Sequence, residues 1–593
     1  MSKKKIILGA VLIVIVFMCL HVFANATTII NSAKKAKAKI LPIKSALAEQ
    51  DTSLLVFEVE YLREDIQKIQ KAASNLKVYS FLPIVGGYIA DLNAVSDASL
   101  EAVNSGIEIF NSLEKSIPNF SFSGWGGVEE DVPNTTSINE LSKFLTEELP
   151  NYKKTFLSIA DNFNSIDPNR YPENFRGFLI RDNLIAAQEF FKLSGGSFDD
   201  LIKIISVAPS IFGDNEITHY LVFLQNDKEI RPGGGILEAY AVFAINHGKL
   251  SLVKSGDPVF LEEGKIKFQT PPLYLSRYLG MRALTVKEGA YSADFKESAD
   301  MINKLWFDSP KAIPVDGIVA INTQFIMSLL DTVGDVEISD DMKFTSSNVS
   351  ELLQTLSGAS GSRMAQDKKQ KDLIGALLYE LLRKSFNTST TARLELIKVI
   401  KEEFSKKDIL VFIESGDSQD LLEKYNMAGR VKEFSGDYLY ISNANVGRDK
   451  ANLYVKQSAT YEVSNKEDNL TTKLKVSYQN TGDFNSVLNK GYKDFVQIFV
   501  PKGAVIVKSQ GLKDFVGNGE EFGKTVFSGL IEVAPKTSAE FSLEYTLPKS
   551  ASTTDGYKLL IQKQPGLNDS SYKVIIDGKS QEFVLEKDKE IIF

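Results

Sequence analysis

The hydrophobic pattern of the chain changes at residues 218–253, which read THYLVFLQNDKEIRPGGGILEAYAVFAINHGKLSLV. Three apolar runs lie in this stretch, at residues 220–224, 236–245 and 250–253. Apolar runs of this length are typical of strands that are buried on both faces. The residues Asn246-His247-Gly248, between the second and third runs, predict a tight hairpin turn because glycine readily accepts a positive φ.

Helical and strand-like segments alternate downstream of these runs. Helices are predicted at residues 294–306 and 322–330, and strands at 316–321 and 336–338. This mixture indicates a central α/β domain over residues 210–345. A helical segment rich in leucine and lysine follows at 346–430 and contains one predicted strand, 409–413.

The C-terminal part of the chain, residues 435–593, has the pattern of a β domain. Apolar or alternating runs lie at 453–463, 471–478, 496–500, 525–533 and 539–547. Turn residues such as Asn480-Thr481-Gly482 and Asn518-Gly519 separate these runs. Many short strands with regular turns predict a β-sandwich.

Upstream of the central domain, residues 32–206 are predicted to form a helical stalk or bundle. Leu55, Val59, Leu62, Ile66, Ile69, Ala73 and Leu76 recur at alternating spacings of four and three, which is a heptad pattern. Two interpretations fit this pattern: a helix within an intramolecular bundle, and a parallel coiled-coil dimer. A loop rich in Gly and Ser is predicted at 121–133.

The N-terminus is predicted to anchor the protein in a membrane. Lys3, Lys4 and Lys5 precede an uncharged run at residues 6–24, which is about long enough to cross a bilayer. Lysines on this short flank keep it in the cytoplasm, so residues 1–31 form a cytoplasmic tip and a signal-anchor helix. The expected location is the cell membrane, with a single pass and the bulk of the chain outside the cytoplasm. The alternative is a cleaved signal peptide, since Ala24-Asn25-Ala26 fits a cleavage site.

Composition narrows the class of protein. The 593 residues are 43% hydrophobic and 24% charged, values typical of a multidomain folded protein, here of the α+β class. A net charge of −8 argues against a nucleic-acid partner. The single cysteine, Cys19, lies in the apolar run, which excludes disulfides and thiolate metal sites from the exported part. Outside that run the only histidines are His219 and His247, so the sequence offers few residues for a catalytic triad or a histidine metal site.

One polar segment of the first stretch is a candidate anion-binding site. It follows Gln225 and Asn226, and it includes Glu229, Arg231 and the three glycines Gly233, Gly234 and Gly235. Consecutive glycines let backbone amides converge on an anion, and an arginine beside them adds a bidentate phosphate contact. The simpler interpretation is a bend with a surface pair of Glu229 and Arg231, since no Gly-Lys-Ser/Thr motif follows.

The same residues resemble the signature of a bacterial family called domain of unknown function 4012. The shared features are the strand 220–226, Glu229, Arg231 and the glycines; further similar stretches are 292–299, 315–321 and 443–452. The chain departs from the family at Lys287-Glu288, where the family often has Arg-Asp. The resemblance implies a single N-terminal transmembrane helix, a cell-envelope setting and no established activity.

A second similarity links residues 314–338 to the LytR-CpsA-Psr phosphotransferases, which transfer glycopolymers from polyprenyl-phosphate carriers. It implies that Arg231 is an anion clamp, that Asp294 is a catalytic base or cation ligand, and that Mg²⁺ is the cofactor; Arg277 or Arg282 would assist. No cofactor motif is evident in the residues themselves. Two functions therefore stay open: an envelope protein that binds cell-wall glycan or another surface protein, and a phosphotransferase acting on polyprenyl-phosphate-linked glycopolymers.

Overall fold

The protein is a multidomain α+β protein with several sheets and an apolar N-terminal helix. Its structure, a computed structural model, describes residues 3–49, 52–83, 85–117, 138–174, 179–193, 198–261, 268–310, 312–339, 342–358, 364–386, 388, 390–466, 469–551 and 557–592. The chain divides into two compact units: helices α1–α7 lie in the first, before residue 217, and the strands and helices α8–α14 lie in the second. The finer division predicted above stays a prediction, and the predicted loop at 121–133 lies outside the described residues.

The described part of the first unit is helical. Its helices are α1 Lys3–Glu49, α2 Thr52–Leu76, α3 Val85–Ser116, α4 Ile138–Glu148, α5 Lys153–Asn164, α6 Ile180–Leu193 and α7 Phe198–Ile211. The stretch Val16–Ala46 of α1 is long and apolar enough to cross a membrane, and most of it is exposed. The uncharged run at 6–24 lies in the first half of this unbroken helix.

Helix α2 contacts both α1 and α3. The seven residues of its heptad pattern are all buried or half-buried. A salt bridge of 3.0 Å joins Lys39 of α1 to Glu58 of α2, and the Asn93 side chain of α3 donates to the carbonyl oxygen of Ala73 at 3.1 Å. The heptad face is therefore covered within one chain, and the coiled-coil dimer stays a prediction.

The second unit begins with a five-stranded sheet. Its strands, in spatial order, are β3 Lys249–Gly256, β2 Ile236–Asn246, β1 Thr218–Asn226, β4 Gly317–Asn322 and β7 Ile409–Ile413. Strand β1 pairs antiparallel with β2 and parallel with β4, while β7 runs antiparallel to β4. The predicted hairpin turn joins β2 to β3, where His247 and Gly248 have φ values of 48° and 73°.

Helices pack around this sheet and complete the central region. They are α8 Leu273–Leu279, α9 Phe295–Phe307, α10 Thr323–Val333, α11 Val349–Gly358, α12 Met364–Phe386, α13 Thr390–Lys406 and α14 Gly416–Lys424; the short strands β5 Val336–Ser339 and β6 Met342–Phe344 pair with each other. Helix α9 buries Trp306 in one cluster with Phe223 of β1. Asp294 and Asn322 cap α9 and α10, because their side chains accept backbone N–H groups that the first helical turn leaves unpaired.

The remaining strands form two six-stranded sheets. One has the order β13 Lys513–Glu521, β14 Lys524–Val533, β11 Tyr492–Pro501, β8 Asp437–Asn445, β16 Lys558–Gln562 and β19 Lys589–Ile592. The other has the order β12 Val505–Gln510, β15 Ser538–Thr546, β10 Asn469–Asn480, β9 Val455–Lys466, β17 Ser571–Ile576 and β18 Lys579–Val584. Both sheets supply residues to one hydrophobic cluster, for example Ile498 from the first and Val476 from the second.

Candidate functional site

Arg231 lies at the centre of a buried ion-pair network. Its side chain is 1% exposed, and Nε and Nη2 bind the two carboxylate oxygens of Glu288 at 2.6 and 3.0 Å. Nη1 donates to the carbonyl oxygens of Ile230 and Asn445, and Nη2 also approaches Glu229 at 3.4 Å. Burial disfavours the charge on Arg231, but the carboxylate of Glu288 outweighs it, so the pKa of Arg231 is raised. The guanidinium therefore directs its donors at protein oxygens, and its anion-binding role stays a prediction that requires their displacement.

The three glycines allow the loop to fold tightly against β1. A side chain at Gly234, whose φ is 122°, would collide with the side chain of Gln225, and one at Gly235 would collide with the carbonyl oxygen of Asn226. The amide of Gly233 donates to Ala290 at 3.0 Å, and that of Gly234 donates to the carbonyl oxygen of Arg231 at 2.9 Å. These two amides are thus engaged within the protein.

Gln225, Asn226 and Glu229, the predicted polar partners of the anion site, also have contacts within the protein. Gln225 donates to the carbonyl oxygen of Gly233 at 2.8 Å, and Asn226 donates to Glu238 at 3.1 Å. The pKa of Glu229 is raised, because the effect of burial exceeds the opposite effect of the positive charge on Arg231. These contacts bring together the residues of the predicted anion site, 225–235, whereas Asp294 and Arg277 have other partners.

Asp294 contacts a different arginine. Its two carboxylate oxygens accept from Nε of Arg430 at 2.9 and 2.8 Å, and one of them also accepts from the backbone amide of Val431 at 3.1 Å. Arg430 also contacts Glu423. The carboxylates that contact Arg231 are instead Glu229 and Glu288. Within the described residues, no group of three or more His, Cys, Asp or Glu side chains is placed to hold a metal ion, and the binding of Mg²⁺ stays a prediction.

An open cleft of about 530 Å³ in the second unit provides a different candidate site. One wall comes from α8, the start of α9 and the segment before each; it includes Thr270, Tyr274, Arg277, Tyr278, Tyr291, Ser292 and Glu297. The other wall is the surface of β11, β13 and β14; it includes Phe495, Gln497, Asp514, Val516, Glu521 and Ser528. The sequence motifs did not identify this cleft, because its walls come from segments about 200 residues apart.

Aromatic rings from the two walls contact each other and line the cleft. Tyr274 stacks on Phe495 with the ring centroids 4.9 Å apart and the planes at 9°, and Tyr278 lies 5.9 Å from the same ring. The hydroxyl of Tyr274 donates to the carbonyl oxygen of Tyr291 at 2.9 Å. These contacts fix the rings before a ligand arrives, and the half-buried Tyr278 and Phe495, held by the buried Tyr274, form an aromatic platform in the cleft.

Polar and charged groups surround the platform. Asp514 accepts from the Tyr278 hydroxyl and from Arg277, each at 2.9 Å. Gln497 donates to Glu521 at 3.3 Å. Desolvation by the cleft walls, and then the negative charge of Glu297, raise the pKa of Glu521. Few fixed polar groups around an aromatic surface are the usual composition of a small-molecule site.

Comparison with known families identifies the central region. Residues 215–356 match the family model described as "Protein of unknown function (DUF4012)". This region belongs to DUF4012. The resemblance predicted from residues 220–235 is thereby confirmed. No curated protein matches the chain. Among solved structures, the Lin1025 protein from Listeria innocua aligns at 12% identity over 39% of this chain and 84% of that one, with a TM-score of 0.22, too low to carry an argument.

The DUF4012 region contains the Arg231 network and one wall of the cleft. Arg231, Glu229 and Glu288 lie within residues 215–356, whereas Asn445, which accepts from Arg231, lies beyond them. The aromatic platform likewise combines Tyr274 from the DUF4012 region with Phe495 from a six-stranded sheet. The candidate site therefore needs both parts of the second unit.

Proposed function

We propose that this protein is a membrane-anchored cell-envelope protein whose cleft binds a glycan outside the cytoplasm. The single observation that carries the proposal is the aromatic platform of Tyr274, Tyr278 and Phe495, ringed by polar groups. Sugar rings present C–H faces that pack on aromatic rings, and their hydroxyls bond to carboxylates and amides such as those of Glu521 and Gln497. An acidic, open cleft suits a neutral or amino sugar better than a phosphate.

The arrangement around the cleft supports a binding module. We propose that the two six-stranded sheets form a β-sandwich, since they share one hydrophobic cluster. Helix α1 would hold this module at the membrane, with Lys3, Lys4 and Lys5 on the cytoplasmic side. The phosphotransferase alternative has less support, because Arg231 is engaged by Glu288 and Asp294 is engaged by Arg430.

Removing one ring of the platform is expected to weaken glycan binding. In Tyr278→Ala the cleft loses an aromatic face, and the affinity for soluble cell-wall oligosaccharides should fall about tenfold or more, as expected for about 1.4 kcal/mol of lost contact. Isothermal titration calorimetry on the full-length protein in detergent measures this change. Phe484→Ala, which removes an exposed aromatic ring outside the cleft, is the matched control and should bind like the wild type. Equal affinities for all three proteins, or no binding by the wild type, would contradict the proposal.

A second prediction concerns the attachment of the protein to the membrane through α1. The protein should stay in the membrane pellet after alkaline carbonate extraction, because the burial of an apolar helix in lipid does not depend on surface charge. N-terminal sequencing of the extracted protein should find residues 3–5 still present. A soluble product that begins near Thr27 would instead show that the segment is a cleaved signal peptide.

A further inference from the structure

The hairpin between α2 and α3 ends in an apolar tip. Residues 78–90, between Lys77 and Asp91, contain no charged side chain. Val78, Phe81 and Val85 at the tip are 62%, 75% and 49% exposed. An isolated exposed hydrophobic residue is ordinary, but a continuous uncharged run that exposes several large ones marks a surface that contacts something apolar.

The tip lies beside the apolar part of α1. The hydroxyl of Tyr79 is 3.1 Å from Nδ1 of His21, and Met18 packs against the cluster that contains Tyr79 and Ile89. Asn75 of α2 donates to Asn25 at 3.0 Å, which shows that α2 runs antiparallel to α1. Residues after Tyr79 therefore reach further toward the N-terminus of α1, to the level of Met18 or beyond.

The thickness of a bilayer then places the tip inside the lipid. Residues 6–18 are thirteen residues of helix and span about 20 Å, at about 1.5 Å per residue. The hydrocarbon core of a bilayer is about 30 Å thick, so it must extend past Met18 and past His21 to near the end of the uncharged run. If α1 crosses the bilayer, the hydrocarbon core therefore extends beyond the level of the tip.

We propose that the α2–α3 tip is inserted in the outer leaflet of the membrane next to the anchor helix. The partner is the lipid bilayer itself, and the contact makes the first unit a two-point attachment. This inference rests on the proposed anchoring by α1.

The backbone of the tip is suited to a medium without water. The amides of Ser80, Leu82 and Gly86 donate to the carbonyl oxygens of Lys77, Tyr79 and Leu82 at 2.9 to 3.1 Å. Pro83 has no amide hydrogen to satisfy. Unpaired amides are costly in hydrocarbon, so internal bonding of this kind is a requirement for insertion. Tyr88 is exposed beyond the tip, where an amphipathic ring fits the lipid–water interface.

Site-directed spin labelling of the full-length protein in lipid nanodiscs tests the inference. Three samples carry a nitroxide at one site each: the native Cys19, which is exposed on α1; Phe81, as Cys19→Ser/Phe81→Cys; and Lys68, as Cys19→Ser/Lys68→Cys, on an exposed part of α2 away from the tip. Collision rates with molecular oxygen and with a water-soluble nickel chelate report lipid and water, respectively.

The labels at Cys19 and Phe81 are expected to collide with oxygen and to be shielded from nickel, and the label at Lys68 is expected to show the reverse. If Cys19 is shielded while Phe81 is as accessible to nickel as Lys68, the tip is in water: the inference is overturned and the anchor stands. If Cys19 itself is accessible to nickel, the proposed anchor fails and the inference fails with it. Because Phe81 is exposed, its replacement removes little packing, and the far-ultraviolet circular dichroism spectrum should match that of the wild type.

Discussion

Replacing Arg231 with alanine is expected to lower the free energy of unfolding of the second unit by about 3–5 kcal/mol. The loss does not measure the strength of the ion pair, which desolvation largely offsets. It arises because the variant leaves the buried carboxylate of Glu288 without its bidentate partner and the carbonyl oxygens of Ile230 and Asn445 without donors. The effect should be large because Arg231 joins the DUF4012 region to β8, the strand that contains Asn445.

Urea denaturation followed by Trp306 fluorescence measures this loss. Trp306 is fully buried in the second unit, and in a Trp125→Phe background it is the only tryptophan of the chain. Arg282→Ala removes an exposed arginine from the same region and should change the free energy by less than about 0.5 kcal/mol. The double variant Arg231→Met/Glu288→Leu should recover much of the loss, since an apolar pair leaves no charge unpaired. An Arg231→Ala variant as stable as Arg282→Ala would contradict the structural role.

The same variants separate the structural role from the predicted anion site. If Arg231 binds phosphate, polyprenyl phosphate with magnesium should stabilise the wild type by mass action and leave Arg231→Ala unaffected. The hydrogen bonds of the guanidinium lead us to expect no stabilisation of either protein.

Local sequence signals predicted the central sheet well because each signal depends on neighbouring residues. The apolar runs at 220–224 and 236–245 lie within β1 and β2, and the glycine of the 246–248 turn has the positive φ expected of it. The predicted helices at 294–306 and 322–330 are α9 and α10, and each begins one residue later than predicted because its first predicted residue is the cap. The capping role of Asp294 could have been recognised from its position directly before an apolar helical pattern.

Contacts between distant segments could not be predicted in this way. Lys287-Glu288 departs from the family pattern, yet Glu288 supplies the acidic group that binds Arg231, 57 residues away. Arg430 lies 136 residues from Asp294, and no spacing rule connects them. Strands β16 to β19, residues 558–592, were not among the predicted strands, because they are short and two of them, β18 and β19, have at most one buried residue. The cleft depends on the same kind of long-range pairing.

The second large effect concerns a carboxylate in the core shared by the two six-stranded sheets. Asp494 lies on the same face of β11 as Tyr492 and Val496, which point into that core, and it is fully buried. Burial raises the pKa of Asp494 to about 7. Asp437 on the neighbouring strand β8 is buried too, but Tyr461 and Tyr557 donate to it, and its pKa is raised only to about 6.

These shifts predict that stability falls as the pH rises from about 4 to about 7. In that window Asp494 ionises in the unfolded chain and stays protonated in the folded protein, so the folded state binds more protons and loses stability with each step in pH. Below about pH 4 Asp494 is protonated in both the folded and the unfolded state. Above pH 7 it is ionised in both states, so no further stability is lost. A pKa near 7, against an ordinary value near 3.9, corresponds to a loss on the order of 4 kcal/mol.

Asp494→Asn is therefore expected to leave the stability near pH 4 unchanged and to raise it above pH 7, because the amide has nearly the same shape and never ionises. Urea denaturation at pH 4, 5.5, 7 and 8.5, followed by Trp306 fluorescence, gives the profile. A smaller fall between about pH 4 and pH 6 should persist in the variant, since Asp437 still titrates. Asp420→Asn, at an exposed position on α14, should follow the wild-type profile. If Asp494→Asn also follows that profile, the pKa of Asp494 is not raised by burial. Asp494 would then be ionised in the folded core at neutral pH.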